Sequence, residues 1–191
     1  MRIHGIPAFL MMAFLLHPVA STPAQGGEKK PEKVAEKLPA GAAEMEKLKL
    51  LVGTWSYTNT YPKSSFLPSG GEGTGTYTAT LGPGGFSILT SFEGMEPFGK
   101  SAGYEVITWD ASENAYKGYS FNSMAPGCNV RTGRWEGPKL VFKAEIAQGG
   151  LKVAVEHVYT EITPSSVTIE ASIGAPGGAP QLLLTTRAKR S

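Results

Sequence analysis

Histidine, aspartate and cysteine, the side chains that most often carry acid–base, nucleophilic or metal chemistry, are scarce in this 191-residue sequence. His157 is the only histidine beyond residue 17, Asp110 the only aspartate and Cys128 the only cysteine. A structural zinc site wants about four Cys or His ligands, so no metal site and no resident cofactor is expected. Gly99-Lys100-Ser101-Ala102-Gly103 matches Gly-x-Ser-x-Gly, and Ser101, Asp110 and His157 follow in the order of a hydrolase triad. A nucleophile elbow, however, needs a strand before the serine and a helix after it. This segment follows Pro97-Phe98 and runs into the strand Tyr104 to Asp110, so glycines around a hairpin turn account for the match. The one other acid–base arrangement places His157 with Glu161 or Glu156 on a single strand. Residues 157 and 161 share a face about two pleats apart, within reach of one substrate.

His157 lies in the more apolar register of its strand, with Leu151, Val153, Val155 and Tyr159, and is expected to point inward. There an imidazole can be a core group bonded to a neighbour, contact a ligand, or ligate haem iron. The aromatics are the remaining candidates. Tyr57, Tyr77, Tyr104 and Tyr159, with His157, are the expected ligand contacts, because amphipathic rings suit a hydrophobic molecule with one polar end. Tyr57 shares a face with Trp55, and Tyr77 with Gly73 and Gly75, which would leave room beside that ring. Arg131 and Arg134 fall on opposite faces, so one is expected inside, pairing with Glu156 or Glu161 or meeting a carboxylate ligand.

These residues must be positioned by strands. After Gly53 the sequence divides into about ten extended segments: 54–61, 73–81, 85–93, 102–110, 115–123, 129–136, 139–147, 151–162, 166–174 and 180–188. They are separated by turn clusters such as Pro68-Ser69-Gly70-Gly71, Gly82-Pro83-Gly84-Gly85 and Pro126-Gly127, the last placing Cys128 at a turn. Glu93 to Gly99 reads as a connecting loop, with a lid over the mouth as an alternative. Leu140, Phe142, Ala144 and Ile146 alternate with more polar neighbours, as do Val167, Ile169, Ala171 and Ile173. The expected fold is all-β, an antiparallel up-and-down barrel of about ten strands, wide enough to leave a cavity. Met45, Leu48, Leu51 and Val52 precede it at helical spacing, and this short helix is expected to plug one end. The indole of Trp55 on the first strand and the guanidinium of Arg187 on the last could stack across the floor, a contact worth roughly 0.5–2 kcal/mol.

Three regions follow from composition. Residues 1–24 have the form of an export signal: Arg2, the apolar run Ile6 to Leu16, and small residues before a cleavage point after Ala24. Residues 25–41, rich in Glu, Lys, Pro and Gly, are expected to be a disordered linker, and 42–191 the barrel domain. The expected location is secreted or periplasmic. Without Arg2 the 18 basic residues become 17 against 16 acidic ones, scattered along the chain, which offers nucleic acid no surface. No later apolar stretch approaches the length of a membrane span. The expected partner is a small hydrophobic molecule; binding is favoured over the two alternatives, catalysis inside the barrel by His157 with Glu161 or Glu156 and an interaction or structural role for a filled barrel.

Met45 to Trp55, the glycines Gly71, Gly73 and Gly75, Gly103-Tyr104-Glu105 opening a strand that ends at Trp109-Asp110, and Thr185-Thr186-Arg187 together resemble an uncharacterised bacterial family of lipocalin-like proteins among the calycins. The resemblance spans about residues 44–188. It implies that Gly53, Trp55 and Arg187 are structural signature residues, and it brings no catalytic residues. Pro83-Gly84-Gly85 departs from the pattern by inserting a tight turn.

Overall fold

Period-two alternation leaves each strand with one face that avoids water, and in an antiparallel meander the economical way to bury ten such faces is to roll them into a cylinder. The computed structural model describes residues 42–65, 67–148 and 150–191; the expected export signal and linker lie outside these. Ten strands run in order: β1 Gly53–Tyr61, β2 Gly71–Leu81, β3 Ser87–Glu96, β4 Gly99–Asp110, β5 Ala115–Asn122, β6 Ala125–Glu136, β7 Lys139–Gln148, β8 Leu151–Thr160, β9 Ser166–Gly174 and β10 Gln181–Arg190. Each pairs antiparallel with the next, and β1 pairs with β10 from Trp55↔Arg190 to Thr60↔Thr185, which closes the barrel and removes both sheet edges.

Several connections are tighter than the turn residues predict. Only Pro97 and Phe98 separate β3 from β4, so the segment 93–99 is a hairpin with strand pairing up to Glu96↔Gly99 and is neither a loop nor a lid. Pro126 and Gly127 lie inside β6, which starts at Ala125 opposite Asn122; Cys128 is therefore an exposed strand residue. The expected turn moves to Ser123 and Met124 because the Asn122 side chain accepts hydrogen bonds from the amides of Met124 (2.9 Å) and Ala125 (3.1 Å). At the β4–β5 turn Asp110 does the same work, accepting from the Ser112 amide and hydroxyl at 2.9 and 2.6 Å.

The helix α1, Ala42–Glu46, with a 3-10 turn at Lys49–Leu51, closes one end as expected. Met45, Leu48 and Leu51 are buried against Trp55, Tyr116, Leu140 and Val167. Burying side chains of this size contributes about 1.5–3 kcal/mol each. Tyr116 pins the plug: its hydroxyl donates to the Glu44 carbonyl (3.0 Å) and accepts from the Trp135 indole (3.1 Å). Because alternate strands run in opposite directions, this closed end gathers the starts of the odd strands and the ends of the even ones. Tyr61, Glu96, Phe98 and Met124 lie at the other end, the mouth.

Candidate functional site

The floor is held by a cation–π contact, but the arginine is Arg190. Its guanidinium lies 4.3 Å from the Trp55 ring centroid and donates to the carbonyls of Val52 (2.6 Å) and Leu50 (2.9 Å) and, through Nε, to that of Pro164. Arg187 pairs with Thr58 on the outward register and is exposed. The correction has a simple cause: β10 continues to residue 190, and period-two alternation through Thr186 and Ala188 brings Arg190, not Arg187, into line with Trp55. Gly53 is required here, because its φ of +142° is strained for any L side chain and an added Cβ would sit 2.0 Å from Arg190 Nη1. Tyr77 stacks on Trp55 at 5.8 Å and 17°, and Tyr57 on Tyr77 at 6.5 Å and 30°, so three rings climb one wall from the floor.

Halfway up, Arg131 projects inward from β6, buried, and pairs with Glu105 of β4. Its Nη1 lies 2.8 Å from His157 Nδ1, and since a guanidinium can only donate, Nδ1 accepts and the imidazole proton sits on Nε2. Burial, then the Arg131 charge, push the His157 pKa down to about 3, so the ring is neutral at ordinary pH. Burial alone would weaken the charge on Arg131, but Glu105 more than compensates and holds its pKa above the usual value. Burial, and then the Glu105 charge, drive the Tyr159 phenol pKa up against the opposing charge of Arg131. Arg131 Nε, buried and without a hydrogen-bond partner among the described residues, faces the wall near Gly118. A metal-ligating histidine normally donates from its second nitrogen, which raises its basicity. His157 instead accepts there from a cation, a donor set that does not suit iron, and among the described residues no group of three or more His, Cys, Asp or Glu could hold a metal ion.

At the mouth, Glu96 ends β3 with its side chain turned inward and is 7% exposed. Asn59 Nδ2 donates to Oε1 at 3.0 Å, the Tyr57 hydroxyl to the same oxygen at 3.5 Å, and the Tyr61 hydroxyl to Oε2 at 2.8 Å. Burial, and then Glu96, raise the Tyr57 pKa to about 12 and that of Tyr61 further, so both remain donors. Glycines make the room: a Cβ on Gly73 would lie 1.9 Å from Glu96 Oε2, and one on Gly75 or Gly94 would meet the Tyr57 ring or hydroxyl. The space expected beside Tyr77 is thus taken by Tyr57 and Glu96.

Between floor and mouth lies a cavity of about 480 Å³. Ile88, Ile107, Ile169 and Ala171 supply apolar wall, while Glu96, Ser101, Glu105, Arg131 and His157 supply polar points. A second space of about 280 Å³ shares Glu105, Arg131 and His157 with it, so this triad stands at the boundary of the two. Four of the five expected contacts, Tyr57, Tyr77, His157 and Tyr159, line the main cavity. Tyr104 does not; it lies on the outward register opposite Ser91 and Phe121 and is 66% exposed. The two carboxylates expected beside His157 are also elsewhere. Glu156 points outward toward Lys143 (3.5 Å), and Glu161 lies beyond the end of β8 at φ +48°, accepting from Thr168 (2.9 Å). Nor do Ser101, Asp110 and His157 form a triad: Ser101 lines the lumen, but Asp110 is spent on its exposed turn. Arg131 is the inward arginine, paired with Glu105 and not with Glu156 or Glu161.

Glu96, Glu105, Asn59 and Tyr61 were not singled out from the sequence. Their signal was parity: Glu105 shares a face with Ile107, and Glu96 with Ile88 and Phe92, once the strand is carried to its true end.

By sequence the chain matches no protein-family model and no curated protein. By structure it is similar to Rv2717c from M. tuberculosis, with a TM-score of 0.55 at 14% identity over 77% of this chain and 96% of that one. It is also similar to the S-type phycobiliprotein lyase CpeS from Guillardia theta, with a TM-score of 0.50 at 16% identity over 83% of this chain and 96% of that one. At such identities the likeness concerns the fold alone, and that fold is a closed ten-strand calycin-like barrel.

Proposed function

We propose that this protein is an exported, lipocalin-like carrier or sensor that binds one small, mostly apolar molecule inside its barrel. The observation that carries the reading is the cavity of about 480 Å³, of the size that takes a small molecule, with apolar walls and a few inward polar groups. The barrel likeness to Rv2717c and to a phycobiliprotein lyase is compatible with small-molecule binding. Export rests on the form of residues 1–24.

The test is a titration with the neutral fluorescent probe N-phenyl-1-naphthylamine. The wild type is expected to bind it saturably with one site per chain, and Thr90→Trp, which adds bulk to a cavity wall, to lose that binding at unchanged secondary structure. Absence of saturable binding to the wild type, or equal binding to the variant, overturns the reading.

A further inference from the structure

Counting charge in the lumen separates one group from the rest. Arg131 and Glu105 cancel each other, and His157 is neutral as an acceptor from Arg131. Glu96 remains, buried and lining the cavity, and among the described residues no ion pair reaches it. A buried carboxylate without a cation is costly, and replacing it by an apolar side chain would ordinarily favour the fold.

The surroundings are nonetheless built for it. Three donors from β1 converge on its two oxygens. The Thr186 hydroxyl donates to Asn59 Oδ1 at 2.6 Å, which fixes the amide with its NH₂ toward Glu96. Gly73 gives up the Cβ that would collide with Oε2. All three donors are neutral, so they orient the carboxylate without cancelling its charge. A carboxylate offers about four acceptor sites, and three are used. What is left is acceptor capacity and negative charge at the mouth of an apolar chamber.

We infer that the ligand carries a cationic, hydrogen-bond-donating head, such as a protonated amine, which seats on Glu96 while its apolar body fills the cavity below. This rests on the reading of the lumen as a binding chamber. An ionised fatty acid in the same pose would bring a second negative charge against Glu96, so the site discriminates against carboxylate heads.

Matched straight-chain amine, alcohol and carboxylate, each displacing N-phenyl-1-naphthylamine below its micellar concentration, test this. In the wild type the amine is expected to bind about tenfold or more tightly than the carboxylate, with the alcohol between them. Glu96→Gln is expected to bring amine and carboxylate within about twofold while moving the alcohol little. A carboxylate that binds the wild type as tightly as the amine, or a Glu96→Gln protein that keeps the amine preference, overturns the inference and leaves the chamber standing. Failure of the naphthyl probe and all three chains to bind the wild type overturns both. Should the variant not fold, the order of the head groups on the wild type still decides.

Discussion

Arg190 combines a stack on Trp55 with hydrogen bonds to three backbone carbonyls, two of them in the turn that ends the plug. Arg190→Ala is expected to cost about 2–3 kcal/mol in denaturant unfolding, from the lost cation–π contact and from carbonyls left without their donor. Arg187→Ala, on the outward register, is expected to stay within about 0.5 kcal/mol. His157 gives a pH signature. Its pKa is depressed from 6.5 to about 3 by burial and by Arg131, so its neutral form stabilises the fold above pH 6.5 and that contribution is lost as pH falls toward 3. The groups facing it are Arg131, Glu105 and Tyr159, with Phe142 opposite on β7. In His157→Gln, which keeps an acceptor for Arg131, the fall in Tm between pH 6.5 and 4 is expected to be shallower than in the wild type by the equivalent of about 1 kcal/mol or more. An unchanged slope would contradict the neutral, buried imidazole. At this scale alternation told which face His157, Tyr57 and Tyr159 take, because hydrophobic neighbours set the parity. It could not say that Glu105 meets Arg131, since partners from β4 and β6 are brought together by barrel curvature and not by spacing in the chain.

The plug and the hairpins are the elements on which the chamber depends. Leu48 is 1% exposed and Leu50 41%, two residues apart on the same short segment. Leu48→Ala is expected to cost about 2–5 kcal/mol by opening a void under the barrel floor. Leu50→Ala is expected to stay within about 0.5 kcal/mol, because only its carbonyl is engaged. Chemical denaturation of the pair checks this, and equal losses would mean that the segment does not close the barrel. Strand number and order were legible from turn residues and alternation, since hairpin connections allow little else. Ends were less so. Pro126 and Gly127 look like a turn, yet the Asn122 side chain accepts from the amides of Met124 and Ala125, which sets the turn earlier and draws Pro126 into a strand. Glu93 to Gly99 looks like a loop, yet Pro97 and Phe98 suffice to reverse the chain, and reading it as a loop hid the inward turn of Glu96.

The barrel of residues 42–191 is a cylinder sealed at one end by a helix and an arginine clasp, with a polar triad halfway up and a carboxylate at the mouth. Its outer wall also carries the large aromatic surface of Tyr104 and Phe121, so ring content alone overstated the lumen. The interior is not filled by side chains: three stacked rings and the Glu96 cluster line one wall and leave the isoleucine-rich walls free. Native mass spectrometry of the protein isolated under mild conditions tests this claim most directly. The account predicts one small molecule per chain, carried as an adduct that leaves on denaturation and is absent from the Thr90→Trp protein. A wild type that shows the bare mass both as isolated and after exposure to apolar amines would contradict it.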